Sequence, residues 1–129
     1  MLFKGREAEA IQAYEMALDI QHDEPELLNN LAWLLLTSKD LSLRNPIRAL
    51  RLARDAATIA PKGYVLDTLA TAYWANGFLE EAVRLEKQAI TEDPANARYY
   101  QSKILKFLDQ TYEESLVELR QVELAGEKG

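Results

Sequence analysis

The segment Gly63–Asn96, GYVLDTLATAYWANGFLEEAVRLEKQAITEDPAN, decides the fold of this 129-residue chain. Apolar and small residues recur in it at helical spacing on both sides of the turn signal Asn76-Gly77. They are Leu66, Leu69, Ala70 and Tyr73 before the turn, and Ala82 and Ala89 before the closing Pro94. The segment therefore predicts two helices that pack closely through their alanines and are joined by a short turn.

A second copy of the pattern lies upstream, at residues 25–62. Its matching positions are Leu28, Leu31, Ala32, Leu35, Ala49, Ala56 and Pro61, with about five residues inserted between the two helices. A period in the thirties made of two helical patterns indicates units that cannot bury their apolar faces alone. The sequence therefore predicts a stack of helical hairpins, in which neighbours cover one another.

Helical patterns extend over nearly the whole chain, and the alternation typical of strands is absent. The predicted helices span residues 6–20, 25–37, 46–60, 64–75, 79–91, 97–108 and 112–124, followed by a disordered tail at 126–129. Most connections are short, and short links between helices favour antiparallel neighbours.

Together these positions resemble the tetratricopeptide repeat, a helix–turn–helix unit of about 34 residues. The resemblance implies an all-α, right-handed superhelical solenoid of six or seven antiparallel helices in one domain, residues 1–125. It divides that domain into a half repeat at 5–24, a repeat with an insertion at 25–62, the best-matching repeat at 63–96 and a degenerate repeat or cap at 97–125. Two residues depart from the pattern: Glu86 stands where the family usually has an aromatic residue, and Lys103 where an apolar one belongs.

The N-terminal half repeat has no first helix to cover its apolar face, formed by Ile11, Tyr14 and Leu18. We expect the chain to be a fragment of a longer repeat protein, or this face to be covered by a partner or by a second copy of the chain. Self-association through the first helix follows from the second possibility.

The amino-acid composition disfavours or excludes several classes of function. The net charge of −6 disfavours nucleic acid, whose binding depends on Lys and Arg. The absence of cysteine excludes disulfides and thiolate chemistry, and no apolar run is long enough to span a bilayer. The single histidine, His22, is interpreted as part of a solvated helix end rather than a metal ligand, since a metal site needs three or four ligands. With no nucleophile or phosphate-loop motif, we expect neither an enzyme nor a cofactor.

The family resemblance implies a concave groove lined by the polar stripes of the first helix of each hairpin. The candidate contacts are Asn29, Asn30, Trp33, Asp67, Thr71, Trp74, Arg98 and Gln101. Asparagines can pair with a peptide backbone, and tryptophans dominate many interfaces. The alternatives are that Trp33 packs against the inserted loop and that Trp74 packs against the next hairpin.

These residues predict a protein-interaction module that binds a peptide segment or a partner helix. The partner is expected to be neutral or basic, because Glu26 and Asp67 stand where the family's carboxylate-binding members have cations. The alternatives are an oligomerisation segment, a docking or regulatory arm of a larger enzyme and, against the acidic charge, RNA binding. The insertion, residues 38–45, either extends the groove rim through Lys39, Asp40 and Arg44 or is a plain connection with Leu41 and Leu43 packed inward.

Overall fold

A computed structural model of the protein describes residues 2–128, with side chains from 6 to 126. Over this range the chain is all-helical, as predicted, and contains no strand. The α-helices are α1 (Leu2–Ile20), α2 (Pro25–Thr37), α3 (Pro46–Ile59), α4 (Gly63–Ala75), α5 (Leu79–Glu92), α6 (Ala97–Asp109) and α7 (Tyr112–Lys128). Short 3₁₀ turns lie at Leu41–Leu43 and Pro94–Asn96.

Local residues account for the helix boundaries. Pro25 and Pro46 occupy first-turn positions of α2 and α3, where a missing N–H costs nothing. The side chain of Asn45 caps α3 by accepting a first-turn N–H at 3.2 Å. Gly77 follows α4 with a φ of 86°, a left-handed conformation that favours glycine.

The two outer helices are longer than predicted, since α1 begins at Leu2 and α7 ends at Lys128. Gly5 and Gly126 lie inside these longer helices, because an isolated glycine is tolerated in a helix at a cost of about 1 kcal/mol. The tail predicted at 126–129 falls on the end of α7, except for Gly129, which lies outside the described residues. The disorder predicted for the tail stays a prediction.

Consecutive helices pack against each other from α1 through α6, α2 also packs against α4, and α7 contacts α4. The seams between them contain alanines that are fully buried. These are Ala32, Ala49, Ala53, Ala56, Ala70, Ala72, Ala82 and Ala89. Leucines of α2 and α4, among them Leu31 and Leu66, fill the layer between the helices. Alanine at the crossings brings the backbones close together, so the interior is dense without bulky side chains.

The apolar face of α1 is not left uncovered. Ile11, Tyr14 and Leu18 are partly buried and pack against the core of the following helices. The sequence prediction for this face was wrong because α1 turns its apolar stripe towards α2. Among the described side chains of α1, the large apolar residues that are exposed are Met16 and Ile20, at 65% and 83%.

No helix in the described part of the chain combines the length and the apolarity that a membrane crossing requires.

Candidate functional site

Two adjacent cavities lie along the polar faces of α2, α4 and α6. The first, which we call the Asn29 cavity, has a volume of about 510 Å³; its lining includes Tyr14, Asn29, Trp33, Tyr64, Asp67 and Tyr99. The second, the Lys106 cavity, has a volume of about 520 Å³; its lining includes Trp33, Arg44, Tyr99, Lys103, Lys106 and Tyr112. Trp33 and Tyr99 belong to both linings, so the two spaces share an aromatic wall.

Six of the eight predicted groove residues line these cavities. Asn29, Asn30 and Asp67 belong to the Asn29 cavity, Thr71 and Trp74 to the Lys106 cavity, and Trp33 to both. Arg98 and Gln101 are exposed and are not among the residues that line either space.

The prediction for α6 has the wrong register by about one residue. The residues of α6 that line the cavities are Tyr99, Lys103 and Lys106, while Tyr100 and Phe107 are buried. Because Lys103 itself is only 8% exposed, a lysine occupies part of the inward face of the helix. The face of α6 that lines the cavities therefore does not include Arg98 and Gln101.

Trp74 is part of the core, as the alternative interpretation proposed. It is 6% exposed, stacks on Phe107 with ring centroids 5.0 Å apart, and meets the Tyr112 ring edge-on at 5.5 Å. Its indole N–H donates to the carbonyl oxygen of Gln110 at 2.9 Å. The tryptophan therefore joins α4 to α6 and α7 and offers only a small edge to a partner.

Beneath the shared wall lies a buried polar cluster formed by Asp67 and Thr71 of α4, Glu86 of α5 and Lys103 of α6. The ammonium group of Lys103 lies 3.4 Å from Oδ1 of Asp67 and donates to Oγ1 of Thr71 at 2.9 Å. A buried ion pair needs such additional hydrogen bonds to offset the loss of hydration. The cluster thus ties α6 to the middle of α4.

Lys103 also lies among aromatic rings. Its Nζ atom is 4.9 Å from the ring centroid of Trp33, 5.8 Å from that of Tyr99 and 5.5 Å from that of Phe107. Each distance falls within the range of a cation–π contact. Trp33 therefore packs against an internal cation and remains partly exposed beside both cavities.

Glu86 is fully buried beside Asp67, and no N–H or hydroxyl group donates to either of its carboxyl oxygens. Burial, followed by a hydrogen bond between the two carboxyl groups and by the charge of Asp67, raises the pKa of Glu86 well above its ordinary range, although Lys103 opposes the shift. The raised pKa favours a proton held between the two carboxyl groups at neutral pH, which leaves one negative charge opposite Lys103.

One acceptor at the Asn29 cavity lacks a donor. Oδ1 of Asn29 is buried and has no hydrogen-bond partner, whereas Asp67 is paired with Lys103 and interacts with Tyr99 and Glu86. An unpaired buried acceptor costs about 1–3 kcal/mol, so its presence in a cavity wall is a sign of a site that a ligand completes.

The inserted segment combines both interpretations given for it. The 3₁₀ turn Leu41–Leu43 is partly packed inward, whereas Arg44 belongs to the lining of the Lys106 cavity. Arg44 donates through Nε to the Ser38 carbonyl at 2.7 Å and through Nη1 to the Tyr112 hydroxyl at 3.3 Å. The insertion therefore contributes a cation to one rim and connects it to α7.

Sequence reasoning did not place Glu86, Lys103 or Tyr99 in the site. The available signal was the departure of Glu86 and Lys103 from the repeat pattern. Two polar residues at apolar positions of neighbouring helices, one acidic and one basic, indicate a shared buried cluster when they are considered together.

Within the described residues, no group of three or more His, Asp or Glu side chains is arranged to hold a metal ion. Comparison of the chain with protein-family models, curated proteins and solved structures gave no match.

Proposed function

We propose that the chain is a tetratricopeptide-like, right-handed helical solenoid that acts as a protein-interaction module. In this proposal the Asn29 and Lys106 cavities are two halves of one groove, which accepts an extended segment of a partner protein. The repeated hairpin pattern and the sequential packing of α1 to α6 support the architecture.

The observation that carries the proposal is the shared wall of Trp33 and Tyr99 between two adjacent cavities. A partly exposed tryptophan beside preformed spaces is typical of an interface anchor. It is held in place by the cation–π contact with Lys103, so little conformational entropy is lost when a partner binds.

A peptide segment fits better than a small catalytic substrate. Two titratable groups of the site are tied to structural partners: Lys103 to Asp67 and Thr71, and Tyr64 to Glu26. The Tyr64 hydroxyl donates to the Glu26 carboxylate, which together with burial raises the pKa of the phenol to about 12. Groups held in this way position a ligand but do not readily exchange protons near neutral pH.

The test is selection of displayed random dodecapeptides on the full chain, followed by affinity measurement on Trp33→Ala. We expect selected peptides to lose roughly tenfold or more in affinity, because the anchor of the shared wall is removed. Phe78→Ala is the matched control, since Phe78 is a half-exposed aromatic residue outside both linings. Peptides that bind all three proteins equally would show that the groove is not the binding surface.

Self-association remains the second candidate, on the evidence of Met16 and Ile20, which are exposed on α1. Light scattering over a concentration series separates the two proposals. A monomer at every concentration argues against self-association, whereas a dimer that Ile20→Glu abolishes favours it.

A further inference from the structure

The following inference rests on the proposed function and names the group that the groove recognises. We propose that the Asn29 cavity is a subsite for a cationic side chain, lysine or arginine, of the bound segment.

The hydrogen-bonding character of the cavity requires a guest that brings donors. Asn29 is 6% exposed, yet its Oδ1 atom has no hydrogen-bond partner. Ammonium and guanidinium groups carry several N–H donors and no acceptor, so either can donate to this oxygen. A carboxylate guest would bring only further acceptors.

The walls of the cavity are also suited to a cation. Four aromatic residues take part in the lining: Tyr14, Trp33, Tyr64 and Tyr99. Aromatic faces attract ammonium and guanidinium groups and pack along the aliphatic part of a lysine or arginine side chain. The contacts of Lys103 with Trp33 and Tyr99 show that rings of this same wall already hold one cation.

The charges around the cavity favour the same guest. The described residues that line it include Asp67 but no lysine, arginine or histidine. The nearest cation, Lys103, is bound to Thr71 and Asp67 from the side of α6 and is only 8% exposed. A guest cation therefore meets acceptors and aromatic rings without competing with a solvent-exposed lysine.

The test compares two display libraries of random dodecapeptides selected on the full chain, one without Lys and Arg and the other without Asp and Glu. Groove binders are defined as peptides whose affinity falls on Trp33→Ala. We expect them from the library that contains Lys and Arg. Replacing the recognised basic residue by norleucine is expected to weaken binding about tenfold or more.

A control must separate this subsite from the general attraction of an acidic chain for basic peptides. Asn29→Leu leaves the net charge unchanged but removes the orphaned acceptor, so it should abolish the difference between a lysine peptide and its norleucine analogue. Gln88→Leu makes the same amide-to-aliphatic change on the exposed face of α5 and should preserve that difference. A urea midpoint at or above that of the parent shows that the Asn29 variant is folded; Asn29→Ala replaces it otherwise.

The outcomes distinguish the inference from the function on which it rests. Groove binders that arise equally from both libraries, or a lysine preference that survives Asn29→Leu, would overturn the inference while the peptide groove stands. If neither library gives Trp33-dependent peptides, both proposals fall.

Discussion

Replacing Glu86 by methionine is expected to stabilise the protein and to remove most of its loss of stability at alkaline pH. Glu86 is fully buried, and no N–H or hydroxyl group donates to either of its carboxyl oxygens. Methionine has a similar length and no group that requires a partner. The change should therefore raise the free energy of unfolding by about 1–3 kcal/mol near pH 6.

The pH dependence follows from the raised pKa of Glu86. In the native state the carboxyl group keeps its proton well above its ordinary pKa of 4.5. The stabilisation that this proton provides is complete below the unfolded pKa and is lost as the pH rises towards the native pKa. The native state then holds one proton more than the unfolded state, so the free energy of unfolding falls by up to about 1.4 kcal/mol per pH unit.

Other charged and titratable groups around Glu86 are retained in the variant. They are Asp67 of α4 and Tyr99, Tyr100 and Lys103 of α6. Between about pH 6 and pH 8 the parent should lose up to about 3 kcal/mol more than Glu86→Met. The difference between the unfolding free energies of the two proteins gives the contribution of Glu86 when its neighbours keep their protonation states.

The assay is urea unfolding followed by tryptophan fluorescence and circular dichroism, at several pH values in buffers of equal ionic strength. Glu92→Met is the matched control, because Glu92 is an exposed residue of the same helix and the formal charge change is identical. Its pH dependence should parallel that of the parent. Parallel curves for the parent and Glu86→Met would refute the reasoning, since Glu86 would then not hold a native-state proton.

Three further predictions concern the helix packing, and each is checked by urea unfolding. Gly63→Ala should destabilise the fold by roughly 1–3 kcal/mol, because an added Cβ would lie 2.5 Å from the Asp93 Cβ and 2.7 Å from the Tyr100 hydroxyl oxygen. Unchanged stability would show that the neighbouring side chains can move to accommodate the added methyl group. Ala82→Leu should cost a similar amount by overpacking a fully buried crossing, and a neutral result would contradict the close packing argued for the alanines. Gly77→Ala should cost about 1–2 kcal/mol through its positive φ alone, since open space surrounds the site, so Gly77→Asn should be milder.

The fold class could be predicted because its determinants are local. Proline at the first turns of α2 and α3 and Gly77 after α4 act within a few residues of their own position. The alanines of the seams act between helices, but their helical spacing can be recognised within a single segment. The start of α1 and the end of α7 were predicted too far inside the chain, because no local sequence signal interrupts either helix at the predicted position. The cover over Ile11, Tyr14 and Leu18 was missed because it depends on how α1 is rotated against the rest of the fold.

The candidate site was predictable on α2 and only partly so on α6. Asn29 and Trp33 lie on a helix whose inward face consists of leucine and alanine, so hydropathy gives its orientation correctly. On α6 the inward face includes Lys103, whose aliphatic part packs against aromatic rings while its ammonium group pairs with Asp67. An interpretation that treats every lysine as solvent-exposed therefore assigns the wrong face of such a helix to the interior. Trp74 was ambiguous because its burial depends on Tyr112, which lies on another helix.

The departures from the repeat pattern are concentrated around one place in the molecule. Glu86 and Lys103 stand where the resemblance predicts apolar residues, and both meet Asp67, which with Asn29 lines one cavity. Ion pairing accounts for Lys103 and Asp67, but it accounts neither for a protonated Glu86 nor for the unpaired oxygen of Asn29, each of which costs stability. Sequences that specify a fold tend to break the rules of packing where function requires it. If Asn29→Leu and Glu86→Met both stabilise the fold and only the former weakens peptide binding, the polar residues at the cavity wall serve recognition. The proton on Glu86 is then the consequence of burying a carboxyl group beside Asp67.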